Sequence, residues 1–518
     1  MKSKVTAVDE AVEIISPGDT VTISGNGEAL LPDRVLQALE KRYLASDQPR
    51  DLTLYYPIIP GMQREGTGLD RLAHAGLIKR IITGTYYTLN VRKICKLLQT
   101  NEVEAYLIPM GANWQLMRAI AGGMPGAITP VGVGSFIDPR KGRAKLTPRT
   151  KEDIVEVIEL DGKEYLFYRS FPINVAIIRG TTADEWGNIS IEEEPASLGI
   201  LDMAMAAKNS GGTVIAQVKR ITKVGTIHPY RVVVPGIFVD KIVLDPHQQD
   251  FFPYNPYYTG DARMPVDQFE GLPLNWQKVI ARRAAMQLRP GQVINLGFGL
   301  PAGVPAVAQE EGLSDDVVFG VEHGPLGGTP ATKESFGAGV NALAIMDSPD
   351  IFNMYDGGSL DITFLGLAQL DQAGNVNVSN IGGMQNLGGF MDIIWRTPEI
   401  VFCGAFSAGG FRADIRDEKL VILTEGKIRK FVKKPAEKTF DASRANRQGQ
   451  KVTYVTERAV FELGEEGIIL TEIAPGIDLK EDVLDHMEFE PVIRNPVQIM
   501  SRRLFRPEIM GLKETFSA

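Results

Sequence analysis

A chain of 518 residues, 44% apolar and 23% charged, has the composition of a soluble globular protein. At roughly 150 residues per domain it has room for about three folding units, or for two large ones. This excludes a disordered polymer, a fibrous repeat and a small disulfide-stapled scaffold. The net charge of -9 argues against a duplex-binding surface, which carries a basic excess. The two cysteines, Cys95 and Cys403, lie in apolar stretches and read as buried thiols, so nothing demands an oxidising compartment. Residues 1–12 lack the apolar core of a signal peptide, and no window approaches the ~18 uncharged apolar residues of a membrane span. The expectation is a cytoplasmic protein with no membrane and no nucleic-acid partner.

Residues 20–24 are short and β-rich, and Gly25-Asn26-Gly27 follows as a turn. Pro32-Asp33 opens a helix with Val35, Leu36, Leu39 and Tyr43 on one face. The apolar run 173–178 reads as a buried strand, with Asp184-Glu185-Trp186-Gly187-Asn188 turning into a returning strand. A further strand is predicted at 212–218. Residues 246–273 are rich in Pro, Tyr and polar side chains without a period, and read as a linker packed on a domain surface. Asn275 then caps a helix predicted over 276–288.

The first half is echoed in the second. Pro17-Gly18 leading to Gly25-Asn26-Gly27 matches Pro290-Gly291 leading to Gly297-Phe298-Gly299. Asp184-Glu185-Trp186-Gly187-Asn188 matches Asp371-Gln372-Ala373-Gly374-Asn375, and 212–218 matches 400–405. Echoes in the same order predict two related α/β domains with mostly parallel sheets, fused in one chain. The predicted boundaries are 1–245, a linker over 246–273, and 274–518.

Missing motifs narrow the chemistry. His74, His228, His247, His323 and His486 are not paired at metal-ligand spacing, and neither HExxH nor CxxC occurs, so no bound metal is expected. There is no Walker A sequence and no G-x-S-x-G elbow. The two Gly-x-Gly turns lack the spacing of a dinucleotide fingerprint. Each could be a tight turn with no ligand, yet small residues let backbone approach a ligand and the following helix offers N–H groups to an anion. Residues 317–321 form an apolar strand ending on Glu322, followed by His323-Gly324-Pro325-Leu326-Gly327-Gly328. Open α/β sheets place ligands beyond the carboxyl ends of their strands, which puts Glu322 at a site entrance. A charged residue can also simply end a strand.

With Asn295-Leu296-Gly297-Phe298-Gly299-Leu300-Pro301 before it and Asn386-Leu387-Gly388-Gly389-Phe390 after it, the Glu322-x-Gly-x-x-Gly-Gly phrase resembles the family I coenzyme A transferases, above all the single-chain propionate or acetate CoA-transferases and acyl-CoA:3-ketoacid CoA-transferases. Gly132-Val133-Gly134-Ser135-Phe136, Tyr165-Leu166-Phe167-Tyr168 and Thr456-Glu457-Arg458-Ala459-Val460-Phe461 extend the likeness along nearly the whole chain. The resemblance implies that Glu322 is a nucleophile that moves CoA from a short-chain acyl-CoA to a carboxylic acid by a ping-pong route through a glutamyl-CoA thioester. It implies CoA contacts at Gly297, Phe298, Gly299, Leu300, Pro301, Gly388 and Gly389. Coenzyme A enters as a thioester substrate, with no permanently bound cofactor, and the family habit is a homo-oligomer.

Three departures concern the first half. Pro109-Met110-Gly111 stands where the family carries Pro-Gln-Gly, Gly84-Thr85-Tyr86-Tyr87 replaces a Gly-His-Trp phrase, and Gly25-Asn26-Gly27-Glu28 is less glycine-rich. Met110 cannot donate a hydrogen bond as Gln does, so altered acid specificity is expected, with Asn26 the candidate replacement contact. Two other readings stay open: an acyl-CoA hydrolase using Glu322 with water as acceptor, and a non-catalytic CoA-sensing protein.

Overall fold

The computed structural model describes residues 3–61, 64–86, 92–250, 252–265, 268–269, 271–332 and 335–516. Tyr87, Phe251, Val266, Asp267, Glu270 and the first two residues, all within segments read above, lie outside the described residues. The chain divides into two compact units. The first comprises Met1–Ala262, Met346–Asn353 and Gln385–Asp392; the second comprises Arg263–Ile345, Met354–Met384 and Ile393–Ala518.

The first unit is built on an eight-stranded sheet whose path runs Lys241–Leu244, Thr213–Thr222, Val175–Asp184, Thr20–Ile23, Leu52–Tyr55, Ile78–Thr83, Glu104–Leu107. Every pairing along that path is parallel. Ile189–Ser190 returns antiparallel against Val175–Asp184. All ten residues of Val175–Asp184 are buried, as expected of a central parallel strand covered on both faces. Such a strand can hold Arg179 only with a partner: its guanidinium meets the Glu194 carboxylate at 2.7 Å, both side chains at 1% exposure or less. The helix predicted from Asp33 spans Asp33–Ser46 and buries Val35, Leu36, Leu39 and Tyr43.

The second unit holds a ten-stranded sheet ordered Ala344–Ile345, Pro325–Leu326, Val318–Gly320, Val293–Leu296, Ile362–Gly366, Glu399–Cys403, Lys451–Val455, Ala459–Gly464, Gly467–Ile473, Val492–Ile499. From Val318–Gly320 through Lys451–Val455 the strands are parallel. Antiparallel strands flank this block on both sides, and the outermost Val492–Ile499 pairs parallel again. The helix capped by Asn275 spans Trp276–Ala285, ending before Leu288; the Asn275 Oδ1 accepts from the amides of Gln277 and Lys278 at 2.9 and 3.0 Å.

The internal repeat is visible atom by atom. Asp184 Oδ1 accepts from the Asn188 amide at 3.0 Å and Oδ2 from its side chain at 2.8 Å. Asp371 treats Asn375 identically, at 2.9 Å in both bonds. In each turn the glycine between them donates back to the aspartate carbonyl, Gly187 at 2.9 Å and Gly374 at 3.0 Å. Both halves are α/β with mostly parallel central strands. Cys95 and Cys403 are buried free thiols, and burial pushes them up to about 11 and about 12. Among the described residues no helix is long and apolar enough to cross a membrane.

Candidate active site

In the second unit, parallel strands deliver glycines to one edge of the sheet. Val293–Leu296 ends at Gly297, Ile362–Gly366 ends on Gly366, and Glu399–Cys403 ends at Gly404. The Gly297 amide donates to the Phe364 carbonyl at 2.8 Å, which fixes the start of the Gly297-Phe298-Gly299 turn to the neighbouring strand. Leu300–Gly303 then forms a single tight helical turn holding Pro301. The amides of Phe298 and Gly299 make no hydrogen bond to another described residue. The Phe298 ring is half exposed and rests edge-on against Phe336, 5.3 Å between centroids.

Glu322 is set by the adjacent strand. Asn295 lies opposite Gly320 in the parallel ladder, and two residues further along their strands come Gly297 and Glu322. The chain then doubles back, with the Gly324 amide donating to the Val321 carbonyl at 3.1 Å and Leu326 pairing opposite Gly320. Gly328 permits the close return: its φ is +66°, and a Cβ there would sit 2.2 Å from the Val340 carbonyl oxygen. The Glu322 side chain remains 18% exposed, so it is reachable yet largely desolvated. That state makes a carboxylate more reactive than one in bulk water.

His323 lies beside it but is no cationic partner. Its Nε2 is 4.0 Å from Glu322 Oε1, its ring packs edge-on to Phe336 at 5.6 Å, and Nδ1 has no hydrogen-bond partner among the described residues. Burial pushes the imidazole down to about 4, so it is neutral near pH 7.

Two residues the sequence did not single out join this edge. Tyr355, from the helix Ser348–Gly357, is held well above the usual phenol range by burial and then by the charge of Glu322. Lys430 is 7% exposed and its ammonium lies where a Gly404 side chain would be, 2.8 Å from the Cβ position. Burial, opposed by the charge of Glu457, brings it down to about 8. It is a buried cation beside the strand ends, able to donate to an acceptor on a ligand. No sequence signal marks either residue, because each is defined by burial next to segments distant in the chain.

The remaining predicted positions fall in the first unit. Met110, 2% exposed, starts the helix Met110–Ala121, and its amide donates to the Gly388 carbonyl at 3.1 Å. The amides of Leu387 and Gly388 both donate to the Gly84 carbonyl at 2.9 Å. Gly84 is required there, since a Cβ would stand 2.8 Å from the Ile108 carbonyl oxygen. Met110, Gly84 and the Gly388-Gly389 pair are therefore one backbone cluster, although some 280 residues separate its parts in sequence. Asn26 is 9% exposed, and its amide and carbonyl close a tight bridge with Ala29 at 3.1 Å in both directions. The Gly27 amide ties the turn to the Ile59 carbonyl at 3.1 Å.

Known proteins share this architecture. A family model described as Coenzyme A transferase matches residues 5–245. The acetate CoA-transferase YdiF of Escherichia coli (strain K12) is 40% identical over 98% of this chain and 96% of its own. The caffeate CoA-transferase of Acetobacterium woodii is 40% identical over 98% of this chain and 99% of its own. The crystal structure of the acyl-CoA transferase from E. coli O157:H7, described as a thioester complex with CoA, superposes with a TM-score of 0.92 at 39% identity, covering 98% of this chain and 97% of that one. With likeness of that extent at both the sequence and the structural level, the chain belongs to the family I coenzyme A transferases and is a CoA-transferase enzyme.

Proposed function

We propose that this enzyme moves coenzyme A from a short-chain acyl-CoA to a carboxylic acid, with Glu322 as the nucleophile. A Glu322 oxygen attacks the thioester carbonyl, the C–S bond breaks, and CoA thiolate leaves a mixed anhydride on the glutamate. The thiolate attacks the glutamyl carbonyl and the donor acid departs as its carboxylate, leaving a glutamyl-CoA thioester. An acceptor carboxylate then attacks that thioester, the thiolate leaves, and it finally attacks the acceptor's acyl carbonyl, which frees Glu322. Bonds of like energy are exchanged, so neither ATP nor metal is needed.

The observation that carries this reading is the placement of Glu322 next to the Gly297 turn, whose Phe298 and Gly299 amides are spent on no other described residue. Negative charge develops on a carbonyl oxygen at each attack. A preorganised N–H aimed at it contributes about 3 kcal/mol. Gly297, Phe298, Gly299, Leu300 and Pro301, with Gly388 and Gly389, are assigned to CoA. Met110 and Asn26 are assigned to the acid. Assembly as a homo-oligomer is what the family resemblance implies.

The test is to incubate the enzyme with an acyl-CoA alone and map the peptide that carries CoA. Label on Glu322, together with a loss of turnover of at least about a thousandfold in Glu322→Gln, is expected. Normal turnover by the folded variant would overturn the assignment. Steady release of free CoA without an acceptor acid would identify a hydrolase instead.

A further inference from the structure

We infer that Tyr355, Asn295 and Thr363 form a buried positioning network that holds the Gly297-Phe298 turn in register with Glu322 for acyl transfer. The inference rests on Glu322 being the nucleophile, and deepens that reading.

The three side chains are 1%, 0% and 0% exposed. The Tyr355 hydroxyl donates to Asn295 Oδ1 at 3.1 Å, and Asn295 Nδ2 donates to Thr363 Oγ1 at 3.1 Å. The Thr363 hydroxyl in turn donates to the Asn295 carbonyl at 3.3 Å. The chain of bonds thus returns to the main chain of the residue two before Gly297. Thr363 and Asn295 are direct register partners on neighbouring strands, and the next bond along is the Gly297 amide to the Phe364 carbonyl. The strand end is therefore held by side chains just ahead of the turn and by backbone at it.

The internal repeat shows that the fold itself does not need these groups. The ladder bonds fix the correspondence. The Asn174 amide donates to the Thr20 carbonyl as the Asp361 amide does to that of Val293, and the Ser24 amide donates to the Ile177 carbonyl as the Gly297 amide does to that of Phe364, so Thr22 stands where Asn295 does. Thr22 is the register partner of Ala176, as Asn295 is of Thr363. Thr22 and Ala176 are both 0% exposed and the Thr22 hydroxyl has no hydrogen-bond partner among the described residues, so the first half fills the same place without a bonded network. Burying an amide, a hydroxyl and a phenol in place of hydrocarbon gains little stability even when every bond is made. The half that keeps the polar set is the half that has Glu322. Its charge reaches Tyr355, so the phenol and the carboxylate share a poorly screened interior. As Glu322 passes from carboxylate to anhydride to thioester, a network bonded at every link keeps the N–H donors in place without reorganisation.

Tyr355→Phe and Thr363→Val remove one link each with little change of shape. The rate at which acyl-CoA attaches CoA to Glu322 in a single turnover, steady-state kcat and KM, and the melting temperature would be measured. Each variant is expected to lose about tenfold in kcat and in the single-turnover rate, with KM for acyl-CoA held within about twofold. The double variant should be no slower than the slower single, because the links act as one unit. Thr363→Ser, which keeps the hydroxyl, should restore the rate and covers the case in which Tyr355→Phe fails to fold. A lowered melting temperature with unchanged kcat would overturn the network as a positioning device. Wild-type enzyme that never carries CoA on Glu322 would instead overturn the nucleophile assignment.

Discussion

His323 offers a quantitative test of how the surroundings of Glu322 are built. Burial moves the imidazole from 6.5 to about 4, so the folded protein binds this proton more weakly than the unfolded chain does. Stability is then undiminished above about pH 6.5, declines as pH falls, and the loss is complete below about pH 4. At about 1.4 kcal/mol per unit, the drop from 6.5 to about 4 amounts to about 3 kcal/mol, of which about 2 kcal/mol is lost by pH 5. His323→Phe keeps a ring against Phe336 and removes the titration; any cost of fitting the larger ring does not depend on pH and cancels in the comparison. Calorimetric unfolding of both proteins at pH 7, 6 and 5 reads the difference directly. The wild type should fall relative to the variant by about 2 kcal/mol between pH 7 and 5. Parallel curves would show that His323 takes up a proton in the folded state, and that Glu322 has a cationic neighbour in mild acid.

Two further outcomes are expected in the first unit. Glu194→Gln leaves the Arg179 guanidinium buried without its carboxylate, and should cost about 3–5 kcal/mol in urea unfolding; a change below about 1 kcal/mol would mean that the carbonyls around Arg179 suffice. Met110→Gln restores a donor at the first residue of its helix, and should shift the preference among acceptor acids, at one fixed acyl-CoA donor, towards more polar acids. An unchanged acid profile would remove Met110 from the specificity determinants.

What could be read from the sequence is what depends on near neighbours. Turn chemistry is local: Asp184 to Asn188 and Asp371 to Asn375 carry the same residues and make the same bonds. Helix starts are local too, as Asn275 shows by capping with its own side chain. Apolar runs mark central strands because such strands are buried on both faces. The two-halved α/β fold, and the position of Glu322 just past a strand, followed from patterns a few residues long.

Tertiary structure alone decided what depends on distant contacts and on burial. Asn295, Thr363 and Tyr355 meet across some 60 residues. Gly388 follows the second-half motifs in sequence, yet its carbonyl receives the Met110 amide in the first unit. The neutral state of His323 and the lowered affinity of Lys430 for its proton come from removal of water, which packing in the folded chain brings about. The antiparallel strands flanking the second sheet were equally illegible, since short apolar segments carry no mark of which partner or direction they will take. The sequence supplied the groups that can react; folding set their distances, their hydration and hence their charge.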